Sequence, residues 1–147
     1  MNIRAATAAD QSTIHRIIHD ANINPMSLDW HHFIVAEEDG RVTGVGQVKQ
    51  HSDGSRELAS IAVIPERQGR GIAGEIIRTL LAQENSTLYL TCRNSLEDFY
   101  VRFGFRSISP EEMTPYFRRL YRLGSALMKI AGGRQRLIVM KRQTGSI

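Results

Sequence analysis

The chain of 147 residues contains one cysteine, one tryptophan and four prolines, and it has no long apolar run. The lone Cys92 cannot form an internal disulfide or a cysteine-based zinc site, so a reduced, cytoplasmic setting is expected. Runs such as residues 61–64 are far too short for a transmembrane helix, and the first residues lack the apolar stretch of a secretory signal. We therefore expect no membrane partner and, with 41% apolar residues, a globular chain of about one domain.

Acidic residues are absent from the last quarter of the sequence. From Met113 to the end there are eight basic residues and no acidic ones, whereas the preceding part holds eleven basic and fifteen acidic residues. The formal net charge of +4 therefore belongs to the C-terminal quarter. Such a segment is either a solvated helix face or a surface that attracts phosphates or an acidic partner. Because no aromatic residues are interleaved in an RNA-binding pattern, nucleic acid is not the expected partner.

Hydrophobic periodicity and turn residues predict the order of secondary structure. The predicted strands lie at residues 2–6, 33–37, 42–49, 57–64, 87–92, 105–108 and 136–141, and the predicted helices at 8–22, 69–83, 95–103 and 111–133. This order predicts an α/β (α+β) fold, in which residues 1–143 form one domain around a mixed central sheet of about six to seven strands with an antiparallel front half. Residues 144–147 are expected to form a disordered tail.

The strongest chemical signal is a glycine-rich turn between a predicted strand and a predicted helix. It reads Gln68-Gly69-Arg70-Gly71-Ile72-Ala73-Gly74. Glycines let backbone N–H groups approach a ligand closely, and a helix N-terminus adds unpaired donors and the positive end of a dipole. The turn is therefore suited to a pyrophosphate.

Several interpretations of this turn compete. A Walker A loop has the spacing of Gly69 and Gly74 but needs a lysine where Glu75 stands. A dinucleotide-binding fingerprint is matched literally by the three glycines, but residues 92–94 do not supply the acidic residue that this fold requires. A turn that merely needs glycine and a site for the pyrophosphate of an acyl-CoA remain as further interpretations.

Two segments resemble the GNAT N-acetyltransferase superfamily. Residues 58–81 are similar to its acetyl-CoA signature, a strand followed by Q/R-x-x-G-x-G/A at a helix start, and Gln68, Gly71 and Ala73 match that pattern. A second family element, an aromatic-Tyr pair shortly before Gly-Phe, is matched by residues 99–105. The resemblance implies a GNAT-like fold with splayed strands at the cofactor site and acetyl-CoA as the co-substrate.

The resemblance also implies which residues bind the cofactor. The backbone of Ile61, Ala62 and Val63 would bond the pantetheine arm. The pyrophosphate would be wrapped by Gln68, Gly69, Arg70, Gly71, Ile72, Ala73 and Gly74. Asn94 resembles a cofactor-contacting asparagine of the family, although it lies one residue closer to Tyr100 than in many members. Four arginines compete for the 3′-phosphate: Arg67, Arg70, Arg93 and Arg102.

Acetyl transfer to an amine needs a base for the amine, a stabilising group for the carbonyl oxygen and an acid for the departing thiolate. Tyr100 is the predicted acid, since the resemblance places a tyrosine there and a hydroxyl with a reference pKa of about 10 can protonate a thiolate. Glu57 is the predicted base, because some family members keep a catalytic glutamate in a similar place. Asp29, His31 and His32 are rival bases, and many relatives use only ordered water.

No metal site is expected. His15 and His19 are four residues apart on a predicted helix, as in zinc proteases, but Arg16 stands where the general-base glutamate belongs. Cys92 lies in an apolar predicted strand with no histidine at a readable spacing. We therefore expect it to be a core residue and not a nucleophile.

The sequence thus predicts an N-acetyltransferase that moves acetyl from acetyl-CoA to a primary amine by direct attack in a ternary complex. The acceptor is either a small-molecule amine or an amine of a peptide or protein. The alternatives are a non-catalytic acyl-CoA sensor and, less favoured, a nucleic-acid-associated module that uses the basic C-terminal helix.

The segment at residues 111–133 departs from the family pattern, which has a shorter connection there. Its apolar side is predicted from residues at helical spacing: Phe117, Leu120, Tyr121, Leu127 and Met128. It would cap the acceptor pocket and recruit an acidic or phosphorylated substrate, form a homodimer face, or form a patch for nucleic acid.

Overall fold

A computed structural model describes residues 1–143. Within them the strands are β1 (Asn2–Ala5), β2 (Phe33–Glu38), β3 (Arg41–Gln50), β4 (Arg56–Val63), β5 (Leu88–Arg93), β6 (Arg106–Ser107) and β7 (Leu137–Arg142). The α-helices are α1 (Gln11–Asp20), α2 (Ile72–Ala82), α3 (Glu97–Val101) and α4 (Pro115–Ile130). The predicted tail at residues 144–147 lies outside the described residues. None of the described helices is long and apolar enough to cross a membrane.

The strands hydrogen-bond in the order β1-β2-β3-β4-β5-β7-β6. The pairs β1–β2, β2–β3, β5–β7 and β6–β7 are antiparallel, whereas β4 and β5 are parallel through Arg56↔Leu88 and Glu57↔Tyr89. The predicted mixed sheet flanked by helices is therefore confirmed. The splayed strands at the cofactor site and the single domain over residues 1–143 stay predictions.

The chain divides into two compact units. The first comprises residues 1–49 and 58–84, and the second comprises residues 50–57 and the chain from Asn85 onward. Strand β4 therefore contributes its first two residues to the second unit and its other residues to the first.

In the first unit, α2 packs very closely against β3. Ile76 and Ile77 of α2 are completely buried. Gly44 and Gly46 of β3 face this helix, and a Cβ added at Gly46 would lie 2.6 Å from Ile76 Cγ2. Because real Cβ contacts are never this short, the helix can approach the strand only where the strand has no side chain.

In the second unit, α4 packs through one side onto β5 and β7. Phe117 is completely buried with Tyr89 and Val139, and Leu120 and Tyr121 pack against this cluster. The predicted apolar side is wrong in one residue, since the side chain of Leu127 is 68% exposed. Leu127 joins a second apolar stripe with two other exposed residues, Leu123 and Ile130. Helical spacing identifies both apolar stripes but does not determine which of them packs against the sheet.

Gly46→Ala should destabilise the protein, because the new Cβ would overpack the contact between β3 and α2. Overpacking of this kind costs about 1–3 kcal/mol of unfolding free energy, which urea unfolding monitored by circular dichroism would measure. Gly133→Ala is the matched control, since its Cβ would meet only Gln135 N, at 3.9 Å. Equal stability of the two variants would contradict the close-packing argument.

Candidate active site

The glycine-rich turn joins β4 to α2 and begins after a short 3-10 turn at Pro65–Arg67. Gly69 and Gly71 have φ angles of +79° and +81°. These left-handed angles favour glycine, because a Cβ would clash with the backbone. A Cβ at either position would meet nothing within 4 Å, so the space beside the turn is open. The glycines are needed for the backbone angle and leave room for a ligand.

Exposure divides the predicted pyrophosphate residues into two groups. Gln68, Gly69, Arg70 and Gly71 are exposed, whereas Ile72 and Gly74 are buried and Ala73 is half-buried. The first N–H groups of a helix have no partner within the helix. The turn therefore combines exposed backbone with the free donors at the start of α2, as the anion-site prediction requires.

The predicted pantetheine residues Ile61, Ala62 and Val63 lie at the end of β4. The carbonyl oxygen of Val63 accepts a hydrogen bond from Gln68 Nε2 at 3.1 Å. This bond ties the end of the strand to the start of the turn. It also means that one backbone group predicted to bind the cofactor already has a partner.

The four arginines that compete for the 3′-phosphate differ in their surroundings. Arg67 Nε is 4.0 Å from Glu38 Oε2, and the Arg102 guanidinium lies over the Phe99 ring at 5.2 Å. The side chain of Arg70 is exposed and contacts no hydrogen-bonding or ionic partner among residues 1–143. Arg93 is also exposed and has no such partner within the same residues, but only Arg70 belongs to the glycine-rich turn.

In the second unit, Tyr100 lies on α3 in an aromatic cluster with Phe99 and Phe105. Burial, with a smaller contribution from nearby Cys92, raises the pKa of Tyr100 to about 12. The hydroxyl is therefore protonated at neutral pH. Burial likewise raises the pKa of the Cys92 thiol to about 11, and Cys92 is buried, as expected of a core residue.

Asn94 is engaged with the chain segment that leads into β7. Its backbone N–H donates to Arg136 O at 2.8 Å, and its Oδ1 accepts from Arg136 N at 2.8 Å. These reciprocal bonds give Asn94 a structural role. A contact with the cofactor would therefore have to use the side-chain amide NH₂ group.

Glu57 has a partner that sequence reasoning missed. Its Oε1 lies 2.7 Å from His51 Nε2, and the side chains of His51 and Glu57 are only 13% and 10% exposed. The two residues flank a turn at Asp53-Gly54, where His51 N donates to Ser55 O at 2.9 Å. A histidine six residues before the predicted base, across a predicted tight turn, was the signal that could have found this pair.

The same turn holds the first residues of α4. The His51 ring stacks on Tyr116 with centroids 3.6 Å apart and 15° between the planes, and the edge of Phe117 completes the contact. Asp53 Oδ2 accepts from Tyr116 N at 3.0 Å. Hydrogen bonds from the Ser55 hydroxyl, Ser55 N and Tyr116 N hold the pKa of Asp53 well below its usual range.

The rival bases lie in the first unit. Asp29 Oδ1 is 2.6 Å from His31 Nδ1, and both side chains are more than half exposed. Hydrogen bonds from the His31 backbone and ring lower the pKa of Asp29. A lowered pKa makes this carboxylate a weaker base, and its exposure leaves it solvated, so the geometry favours Glu57.

Comparison with known families tests the resemblance to acetyltransferases. A family model described as an acetyltransferase (GNAT) domain matches residues 29–107, more than half of the chain. The chain belongs to the GNAT acetyltransferase family. This GNAT chain contains the complete glycine-rich turn and Tyr100 within the matched residues. A comparison with curated proteins finds no significant match.

Solved structures of GNAT proteins share the fold. N-acetylglutamate synthase from Neisseria gonorrhoeae, complexed with coenzyme A and N-acetylglutamate, is 20% identical with a TM-score of 0.74, covering 97% of this chain and 35% of that one. A Mycobacterium tuberculosis protein in complex with CoA is 21% identical with a TM-score of 0.73, covering 97% and 99%. The Escherichia coli ribosomal-protein-S18-alanine N-acetyltransferase is 18% identical with a TM-score of 0.66, covering 97% and 93%. This chain therefore spans about a third of the Neisseria enzyme.

Asp53→Asn should weaken the attachment of α4 and make stability less dependent on pH. A carboxylate whose pKa is lowered by folding adds stability above its unfolded pKa of about 3.9, and this stability is lost as pH falls toward the folded value. At neutral pH we expect a loss of a few tenths to about 1 kcal/mol, since Asp53 is exposed but bonds a helix-terminal N–H.

Thermal unfolding between pH 3 and pH 7 measures this effect. Asp39→Asn is the control, because Asp39 is exposed in the other Asp-Gly turn, between β2 and β3. We expect the Tm of the Asp39→Asn protein to follow that of the wild type. Parallel Tm profiles for wild type and Asp53→Asn would show that Asp53 does not support α4.

Proposed function

We propose that this GNAT protein transfers acetyl from acetyl-CoA to a primary amine by direct attack in a ternary complex. The observation that carries the proposal is the open, exposed glycine turn at the start of α2, with left-handed angles at Gly69 and Gly71. Such a turn suits a pyrophosphate. The coenzyme A named in the Neisseria and Mycobacterium structures supports the same cofactor here.

Each part of acetyl-CoA is assigned to residues of the first unit. The exposed residues from Gln68 to Gly71 contact the pyrophosphate, and Ile72, Ala73 and Gly74 contribute backbone N–H groups from the first turn of α2. Arg70 is assigned to the 3′-phosphate, because its guanidinium is exposed and uncommitted among the described residues. Ile61, Ala62 and Val63 bond the pantetheine arm through backbone atoms.

The reaction consumes one ammonium group and one thioester. After the ammonium loses one proton to a base, the neutral amine attacks the acetyl carbonyl carbon and a C–N bond forms. The C–S bond then breaks, and the electron pair leaves with sulfur. The amide nitrogen loses a second proton as the CoA thiolate gains one. The products are the amide, CoA thiol and one proton released to solvent.

Tyr100 is assigned as the acid that protonates the thiolate. Its pKa of about 12 lies well above the reference value of about 8.5 for a thiol. Direct transfer from Tyr100 to the thiolate is therefore uphill by about 5 kcal/mol. The transfer becomes feasible when the hydroxyl is reprotonated in the same step, and the second amine proton is the available source.

Glu57 is assigned as the base. Its carboxylate is shielded from water and held by one histidine, whereas the rival Asp29 is exposed and has a lowered pKa. A general base acts best when it is positioned within hydrogen-bond reach of the proton that it removes. The hydrogen bond from Glu57 to His51 orders the carboxylate, which supports its assignment as the base.

Release of CoA thiol across an amine panel tests the proposed activity. The panel contains amino acids, polyamines, aminoglycosides and peptides, together with a no-amine control for the protein's own thiol. We expect release above the control with one class of amine, which would also identify the acceptor. CoA binding without release for any amine would instead support the sensor.

Gly71→Ala should weaken acetyl-CoA binding at least tenfold, because a Cβ at φ +81° displaces the backbone that faces the pyrophosphate. Isothermal titration calorimetry measures the change. Gly40→Ala is the matched control, since Gly40 has φ +75° and equally open space, but in the turn between β2 and β3. If both variants lose affinity equally, or neither loses it, the turn does not bind the cofactor.

Tyr100→Phe should lower kcat by about 10²–10⁴-fold, the range expected for loss of a general acid, and leave the Kd for CoA within about twofold. Steady-state kinetics and calorimetry on the same preparation separate the two quantities. Tyr121→Phe is the control, because Tyr121 belongs to the core of the second unit. An unchanged kcat for Tyr100→Phe would remove Tyr100 from the mechanism.

A further inference from the structure

The pair formed by His51 and Glu57 is more than a surface ion pair. The Nε2···Oε1 distance is 2.7 Å, and neither side chain is more than 13% exposed. Both residues belong to the second unit and lie on either side of the Asp53-Gly54 turn. Burying a polar group without a hydrogen-bond partner is costly, and His51 Nε2 is the partner of Glu57 Oε1 in this environment.

We propose that His51 is the positioning residue of a proton-accepting pair, in which Glu57 takes the proton from the acceptor ammonium. This inference rests on the proposed function and adds a residue that neither the family match nor the sequence analysis identifies.

The orientation of the imidazole is set from two sides. Tyr116 stacks on its face at 3.6 Å, and Phe117 meets it edge-on with centroids 5.7 Å apart. Phe117 is completely buried, so this contact is part of the core. The ring is therefore held with Nε2 directed at Glu57, which restricts the carboxylate to one position.

The proton balance of the pair is simple. Neutral imidazole with ionised carboxylate carries a charge of −1, and the pair becomes neutral when it accepts one proton from the ammonium. The 2.7 Å hydrogen bond joins the two residues, so the accepted proton lies within the pair. The proton then leaves to solvent, and the pair returns to its starting charge.

Titratable groups of the described residues lie on the elements that surround the pair. Tyr116 of α4 stacks on the His51 ring, and Asp53 of the turn accepts a hydrogen bond from Tyr116 N. Tyr89 of β5 is the register partner of Glu57. Arg56, the neighbour of Glu57 in β4, donates from Nη1 to Gln50 Oε1 at 3.1 Å. At neutral pH the tyrosines are neutral, since burial raises the pKa of both.

A purely structural role is the competing explanation, because His51 also supports the first residues of α4. Asp53→Asn separates the two roles. Asp53 bonds Tyr116 N from the same turn but contacts neither the His51 ring nor the Glu57 carboxylate in the described hydrogen bonds. If His51 only anchors α4, His51→Gln and Asp53→Asn should have the same kinetic effect.

Kinetics of the protein test the proposal. His51→Gln retains an N–H donor but cannot share a proton, so we expect kcat about 10–100-fold lower, an unchanged KM for acetyl-CoA, and a displaced acidic limb in the pH profile of kcat/KM. Glu57→Gln should lower kcat by about 10²–10⁴-fold. The double variant should be no slower than Glu57→Gln alone, because the pair acts as a unit.

Two control variants belong in the same experiment. His19→Gln, at a side chain that is 90% exposed, should match the wild type. Asp53→Asn should lower Tm without moving the acidic limb. The proposal is overturned if His51→Gln leaves that limb in place or if Asp53→Asn reproduces the His51→Gln profile. It is also overturned if the losses of kcat caused by His51→Gln and Glu57→Gln multiply in the double variant.

A readout independent of turnover is the imidazole N–H resonance of the protein labelled with ¹⁵N-histidine. We expect one downfield, slowly exchanging N–H signal that disappears in His51→Gln and is lost in Glu57→Ala. Absence of this signal in the wild type overturns the pairing itself. If the signal is present but no amine is acetylated, the proposed function fails and with it the pair's role in transfer, whereas the pairing stands.

Discussion

The close approach of α2 to β3 is the packing constraint on which the first unit depends. Gly44 and Gly46 remove the side chains that would separate the two elements, and Ile76 fills the space. This contact fixes the axis of α2 and therefore the position of its first turn. The glycine-rich turn is held at its other end by the bond from Gln68 to Val63. An anion site that consists of backbone atoms keeps its geometry only if both ends of the turn that forms it are held rigidly.

The second unit depends on a different contact, between the Asp53-Gly54 turn and α4. Asp53 bonds the helix, and His51 stacks on its first turn. Helix α4 is thus attached to the residues that surround Glu57. The helix also closes over Tyr89 and Val139 through Phe117. Helix α4 therefore shapes the surroundings of the proposed base and contributes to the unit's core.

Sequence reasoning succeeded where the signal is local and repeated. The strand and helix order followed from periodicity, and the strands differ from their predicted bounds by only one or two residues. It failed at Leu127, because α4 carries two apolar stripes and periodicity alone does not select between them. It also missed His51, whose significance depends on a turn that brings it within 2.7 Å of Glu57. Asn94 was identified, but its bonds to Arg136 were not.

The sequence by itself determined the secondary structure, the glycine turn and the family, because each depends on neighbouring residues and their backbone preferences. The tertiary structure decided which side of α4 is buried, which of the four arginines have side-chain partners, and that Glu57 is paired. The bond between Asp53 and Tyr116 joins residues 63 positions apart. Contacts at such separations form only when the packing of whole elements brings them together, and no local pattern encodes that outcome.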